Sequence, residues 1–312
     1  MKILVLAGGT SPERDVSLNS GKAVTEALLS TKYTPVFIDL TDPLDLPRIF
    51  KENNADGVFI ALHGTWGENG IIQAICESAN IPYTGSGIIG SSVGMNKFTS
   101  KALFNNVGIK TAKAFLATAN NPNMAIAEQF LEKFGKIFVK PNTGGSTVAC
   151  SSATTIDEYK KSLEHAFEVE PYALVEEFLE GEEVTVPVME SESGTAFALP
   201  VIHIKPKTGY YDYSNKYTKG ATEYICPADF SPETIEKLQQ TAVKAHQALS
   251  CNVYSRIDFR LTKSGEIYAL EANTAPGMTA TSLVPKAAKA YGIEFPDFLS
   301  QVIERSFSLK RN

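Results

Sequence analysis

The sequence predicts an α/β protein with a parallel-sheet lobe followed by two mixed lobes, on three observations. Short β-rich runs (KILVLA, YTPVFIDL and GVFIALHG) alternate with helix-compatible stretches such as LNSGKAVTEALLS, the order that crossover helices between parallel strands impose. A second group of strands and helices runs from NKFTSKALFNNVGIKTAKAF through KIFVKP to YALVEEFL, and a third begins at EVTVPVM. The length of 312 residues exceeds what one core ordinarily serves, since domains commonly run to about 100–200 residues. We expect lobes at 1–95, 96–182 and 183–312.

Composition limits what such a chain does. It is 43% hydrophobic and 21% charged with a net charge of −6, a mild acidity that argues against nucleic acid as a partner. The opening run MKILVLAGG is far too short to span a bilayer and leads into structured sequence rather than a cleavage site, so a cytoplasmic protein with no membrane partner is expected. Cys76, Cys150, Cys226 and Cys251 are widely scattered, which suits buried thiols and neither a zinc knuckle nor a disulfide framework.

In the first lobe, LAGGTSPERDVS is a glycine turn between strand and helix, and Asp39 closes the next strand near where a dinucleotide fold places its ribose-binding acid. No third glycine follows Gly8 and Gly9, however, and Glu13 brings negative charge where a pyrophosphate needs amides. Asp39 is therefore read as a solvated strand end.

In the second lobe, FVKPNTGGSTVAC sets Lys140 at a strand end before Gly144, Gly145, Ser146 and Thr147. The amides of such a loop suit a triphosphate, although the lysine precedes the glycines, unlike a P-loop, and a plain glycine-rich hairpin reads the same way. YALVEEFLEGEEVTV ends a β-rich run in Glu176-Glu177-Phe178-Leu179. An adenine fits there against backbone groups and an apolar wall while a carboxylate takes a ribose hydroxyl; a solvated acid pair is the alternative.

The third lobe carries the strongest pattern. YSRIDFRL and IYALEANTAPG read as antiparallel strands joined by the turn-prone TKSGE, which places Arg256, Asp258, Glu271 and Asn273 on one side. Two carboxylates and an amide are hard oxygen donors suited to a magnesium nucleotide. A cross-strand ion pair would not need all four.

The order Lys97, Lys140 with its loop, EEFLEGEE, RIDF and LEANTAPGMT resembles the ATP-grasp carboxylate–amine ligases, and among them the D-alanine–D-alanine ligase family. GGTSPERDVSLNSG, ALHGTWGENG, GMNKFTSK, VKPNTGGSTV, YYDYSNKYTKGATEYICPA and EANTAPGMTATSLVP follow the family's order over nearly the whole chain. The resemblance implies an ATP-grasp fold, a homodimer, and ADP-forming ligation of two D-alanines through an acyl phosphate for peptidoglycan precursors. It further implies that Lys97 and Lys140 contact phosphates, that Glu176, Glu177, Phe178, Leu179 and Glu183 hold base and sugar, and that Lys216 meets the γ-phosphate. Asp258, Glu271 and Asn273 would hold two Mg²⁺ or Mn²⁺ ions, and Arg256 with the Gly277 amide would stabilise an oxyanion. Glu13 would take the first ammonium beside Val16 and His63, Ser282 and Leu283 would face the second substrate, and Glu13, Ser146 and Tyr217 would close the site. Asn69 and Thr143-Gly144-Gly145 depart from the family's usual residues. A ligase for other amino acids or a hydroxy acid, or an idle nucleotide-binding homologue, remains open at this point.

Overall fold

A computed structural model describes residues 1–145, 148–207 and 220–310 of the protein. Strand β1 (Lys2–Gly8) lies between β2 (Thr34–Leu40) and β3 (Gly57–Ile60), all parallel, in the order β2-β1-β3. Ile3 to Ala7 are fully buried, as a central parallel strand covered on both faces requires. Helix α1 (Arg14–Leu28) makes the first crossover and turns Val24 and Leu28 into the core. The strand read in GVFIALHG stops at Ile60, but Ala61, Leu62 and His63 continue buried.

The second sheet is antiparallel: β4 (Ala114–Thr118), β7 (Tyr172–Glu177), β5 (Ile137–Pro141) and β6 (Ser151–Ala153), in the order β4-β7-β5-β6. Helices α6 (Met124–Phe134) and α7 (Ile156–Phe167) pack on it. Its core, including Phe115, Ile137, Val139, Tyr159, Leu163 and Val175, is drawn from this segment alone.

The third sheet contains β8 (Glu182–Glu190), β9 (Ala196–Ala198), β10 (Ile202–Pro206), β11 (Thr222–Ile225), β12 (Tyr254–Leu261) and β13 (Ile267–Asn273). Its order is β11-β10-β8-β12-β13 with β9 also on β8. Helix α8 (Pro232–Ala248) covers it through Leu238, Ala242 and Ala245. Helices α9 (Leu283–Tyr291) and α10 (Phe295–Ser308) pack between this sheet and the first one, so Ile3, Val5 and Phe59 share one core with Met189, Ile202 and Tyr254 of the third sheet and with Val284, Phe298, Val302 and Ile303. The first and third segments are thus fused by apolar burial.

Asp39 is exposed at the end of β2, as expected, and there accepts from Arg14 Nη2 at 2.7 Å while Arg14 Nη1 donates to the Gly9 carbonyl of the glycine turn. One expectation is corrected. Of the cysteines, only Cys76 and Cys251 are buried, while Cys150 and Cys226 are half-buried. Among the described residues no helix is long and apolar enough to cross a membrane.

Candidate active site

Two clefts meet at the seam of the lobes. Lys140, Glu176, Glu177, Phe178, Leu179, Glu183 and Asp258 line one, and Glu13, Val16, His63, Arg256, Asn273, Gly277, Ser282 and Leu283 line the other. Lys97, Gly144, Gly145 and Glu271 line both. Ser146, Lys216 and Tyr217 lie outside the described residues.

On the first side, helix α5 (Lys97–Asn106) begins with an Asn96 cap that accepts from the Thr99 amide at 3.0 Å. Its start is fixed again by the segment after β5: the Asn142 carbonyl accepts from the Lys97 amide, and the Asn142 side chain from the Phe98 amide. Residues four apart share a helix face, so α5 aims Lys97 and Lys101 in one direction. Lys97 Nζ donates to the Gly144 carbonyl at 2.5 Å and lies 3.3 Å from Glu271.

Lys101 reaches Glu176 from behind the cleft while Lys140 meets the other carboxylate oxygen at 2.7 Å. Burial alone would raise the Glu176 carboxyl, but Lys101 and Lys140 together hold it below its ordinary value. For Lys140, burial works against the charge, and Glu176 and Glu271 outweigh it, leaving the ammonium above its usual range. Lys101, with one close carboxylate, is pulled down by burial. Phe138 and Phe178, with ring centres 6.3 Å apart, add an apolar wall, and Lys136 lies over the Phe178 ring. Glu183, further along, pairs with Arg260 at 3.0 Å.

The β12–β13 hairpin sets Arg256 opposite Asn273 and Asp258 opposite Glu271, the one-sided cluster that its alternation predicts. Asp258 accepts from Thr185 Oγ1 and Arg256 Nε on one oxygen, and from Arg256 Nη2 and Asn273 Nδ2 on the other. The Asn273 amide therefore turns its nitrogen to Asp258 and keeps its oxygen for another partner. Glu271, at the border of the two clefts, adds carboxylate oxygens of the hard kind that Mg²⁺ or Mn²⁺ takes.

On the second side, His63 clamps the loop that carries Gly277. Its Nδ1 lies 2.8 Å from the Ala275 carbonyl, which only accepts, so Nδ1 bears the proton and Nε2 accepts from the Ser20 hydroxyl at 2.9 Å. Burial lowers the His63 pKa and keeps the ring neutral. Ser20 in turn accepts from the Met278 amide at 3.1 Å. Glu68 grips the same loop: one oxygen accepts from the Gly64 amide at 2.7 Å, the other from the Ala275 amide at 3.4 Å. Burial first, and Glu13 next, push its carboxyl up to about 8.

Two glycines are explained by space. A Cβ on Gly277 would stand 3.3 Å from Ser282 Oγ, and one on Gly145 would stand 2.6 Å from Glu13 Oε2. The glycine-rich loop therefore docks directly against Glu13 of the first lobe. Thr143 is tied back to Glu170 by its amide, at 2.5 Å, and by its hydroxyl. Asn69 lies in neither cleft; its side chain accepts from the Ile71 amide at the start of α3 (Ile71–Ser78).

Lys101, Ser20 and Glu68 escaped the sequence reading. Lys101 has a signal, its place four residues after Lys97; Ser20 and Glu68 reach the 275–278 loop only through contacts across 258 and 207 positions.

Comparison with known proteins agrees with this architecture. Residues 43–86 match the family described as "D-ala D-ala ligase N-terminus", and residues 103–304 match "D-ala D-ala ligase C-terminus". The D-alanine–D-alanine ligase of Halalkalibacterium halodurans is 42% identical over 312 residues, covering 100% of both chains. That of Carboxydothermus hydrogenoformans is 41% identical, with 97% of each covered. The crystal structure of the D-alanine–D-alanine ligase from Bacillus anthracis complexed with ATP superposes with a TM-score of 0.82 at 32% identity, covering 98% of this chain and 97% of that one. The ATP-grasp class expected from the sequence is therefore the class observed. On these matches the chain belongs to the D-alanine–D-alanine ligase family.

Proposed function

We propose that the protein uses ATP to join two D-alanines into D-alanyl-D-alanine, releasing ADP and phosphate, as a step toward peptidoglycan precursors. One observation carries the reading: Lys97, Gly144, Gly145 and Glu271 line both clefts, so a phosphoryl group leaving a nucleotide in one emerges beside a carboxylate bound in the other.

Adenine would lie between Phe138, Phe178 and Leu179, with its polar edge toward Glu176 and Lys140, and the ribose toward Glu183. Lys97 and Lys140 would meet the phosphates under the Gly144-Gly145 loop, with Lys216 at the γ-phosphate. Asp258, Glu271 and Asn273 would hold two Mg²⁺ or Mn²⁺ ions, whose contribution is to neutralise phosphate charge during transfer.

The first D-alanine binds with its ammonium at Glu13, beside Val16 and His63. Its carboxylate oxygen takes the γ-phosphoryl group, giving an acyl phosphate and ADP. The amine of the second D-alanine, seated near Ser282 and Leu283, attacks the acyl carbon, and the tetrahedral oxyanion is met by Arg256 and the Gly277 amide. Collapse expels phosphate and leaves the peptide. His63, Ser20 and Glu68 serve this step by fixing the 275–278 loop. Glu13, Ser146 and Tyr217 would close the cleft and exclude water. We further propose a cytoplasmic homodimer, divided at 1–95, 96–182 and 183–312 into substrate, nucleotide and metal-binding parts.

Phosphate release with ATP, magnesium and a panel of D- and L-amino acids tests the reading, with products resolved by mass. D-alanyl-D-alanine should dominate at neutral pH, with little ester when D-lactate competes, because Tyr217 is a neutral phenol that imposes no charge penalty on an incoming ammonium. Predominant ester, or turnover only with other amino acids, would overturn it.

A further inference from the structure

Helix α9 opens onto the amino-acid cleft. Ser282, its first flanking residue, spends its hydroxyl on Thr279, accepting from that amide at 3.0 Å and lying 2.8 Å from that hydroxyl, and it caps no amide of its own helix. The first-turn amides of a helix have no acceptor within the helix, so Leu283 and Val284 offer donors at this end.

Lys286 stands one turn further on. It is four residues after Ser282 and therefore on the same face, and long side chains on a helix lean back toward its N-terminus. It lines the same cleft as Ser282 and Leu283. Its ammonium lies 4.9 Å from the centre of the Tyr224 ring, another wall of that cleft, and a ring face holds a cation without neutralising it.

Lys286 is distinguished from the other cations by its partners. Among the described residues, Lys97, Arg256 and Lys286 are the lysines and arginines lining this cleft. Lys97 is engaged by Gly144 and Glu271, and Arg256 by both oxygens of Asp258. Lys286 has no carboxylate partner among the described residues. A substrate carboxylate that is not consumed by the reaction needs such a cation, since a buried charge without a partner is costly.

We propose that Lys286 selects the second amino acid, its ammonium pairing with the α-carboxylate that survives into the product. The assignment rests on the ligase reading above. It makes Lys286 a specificity residue with no part in phosphoryl transfer, and it predicts a preference for acceptors with a free carboxylate over neutral ones.

The test is competition between D-alanine and D-alaninamide as acceptors, with dipeptide and dipeptide amide resolved by mass, in wild type, Lys286→Met, Lys286→Gln and Lys286→Arg. Hydrogen bonds to charged groups have a strength that corresponds to roughly tenfold to a hundredfold in binding. The dipeptide-to-amide ratio should fall by about that factor in the Met and Gln variants and recover in Arg, with the KM for ATP unchanged. Two neutral variants keep the test usable if one folds poorly. An unchanged ratio, or equal loss of both products, overturns the role of Lys286. Failure of the wild type to make any dipeptide removes the ligase reading itself, so the two failures are read from different samples.

Discussion

Replacing Glu176 with Gln removes the negative charge that separates two buried ammonium groups. The side chains of Lys101, Lys140 and Glu176 are 4%, 10% and 4% exposed, so water compensates little. Breaking a buried pair by removing one partner costs about 3–5 kcal/mol, and here two cations lose their shared partner, which puts the expected loss at the upper end of that range. At roughly 2 °C per kcal/mol for a chain of this size, the melting temperature should drop by about 10 °C. The KM for ATP should rise with it, because Lys140 and Glu176 both line the nucleotide cleft. A double-mutant cycle separates charge from packing: adding Lys101→Met to Glu176→Gln removes one stranded cation and should recover part of the loss. Thermal melting followed by circular dichroism reads all four proteins. A Glu176→Gln protein that melts within about 1 °C of wild type would refute the reasoning, as would a double variant less stable than Glu176→Gln.

Three further outcomes are expected. Glu271→Gln should abolish most turnover, with a smaller fall in melting temperature than Glu176→Gln because the pair it loses with Lys97 is partly exposed, and near-normal phosphate release at saturating magnesium would remove it from the metal set; Asp258→Asn would in addition free the two nitrogens of Arg256 that Asp258 holds. Arg256→Ala should lower kcat about a hundredfold to a thousandfold, as loss of an oxyanion donor does, with ATP binding retained; loss of ATP affinity at full kcat would place Arg256 in the nucleotide site. Glu68, raised from 4.5 to about 8 by burial and then by Glu13, keeps its proton in the folded state and loses it in the unfolded state between those pH values. Stability from this group is thus fully present below pH 4.5 and falls by about 1.4 kcal/mol per pH unit toward pH 8. Glu68→Gln should flatten that fall in urea titrations at pH 5.5 and 7.5, and an unaltered slope would show that other groups carry it.

What the sequence made legible was local chemistry. Arg256, Asp258, Glu271 and Asn273 could be placed together because a strand alternates every two residues and TKSGE closes the hairpin, and the observed register follows that rule. Lys140 before a glycine loop was equally visible. What stayed hidden depends on distant packing. Glu68 and Ser20 look like ordinary surface polar residues until the 275–278 loop folds onto them. Lys286 sits in a helix whose apolar neighbours Val284, Ala287 and Ala288 suggest only a core face. The fusion of the first lobe with α9 and α10 joins segments some 280 residues apart in the chain, as in Ile3 and Val284, and no local pattern announces it.

That fusion gives the enzyme its mechanical plan. The first and third segments share one continuous apolar core, whereas the central sheet keeps its own between Phe115 and Val175. The molecule therefore consists of a large frame and a smaller plate, and the nucleotide cleft has a wall on each: Phe138 and Lys140 on the plate, Asp258 and Glu271 on the frame. The contacts between plate and frame are polar and include the buried Lys101–Glu176 pair, Lys97 on the Gly144 carbonyl, the Phe98 amide on the Asn142 side chain and Gly145 against Glu13. On the proposed reading a nucleotide would touch both parts at once, so that its binding would tie the plate, with the Gly144-Gly145 loop, to the frame that carries Glu13.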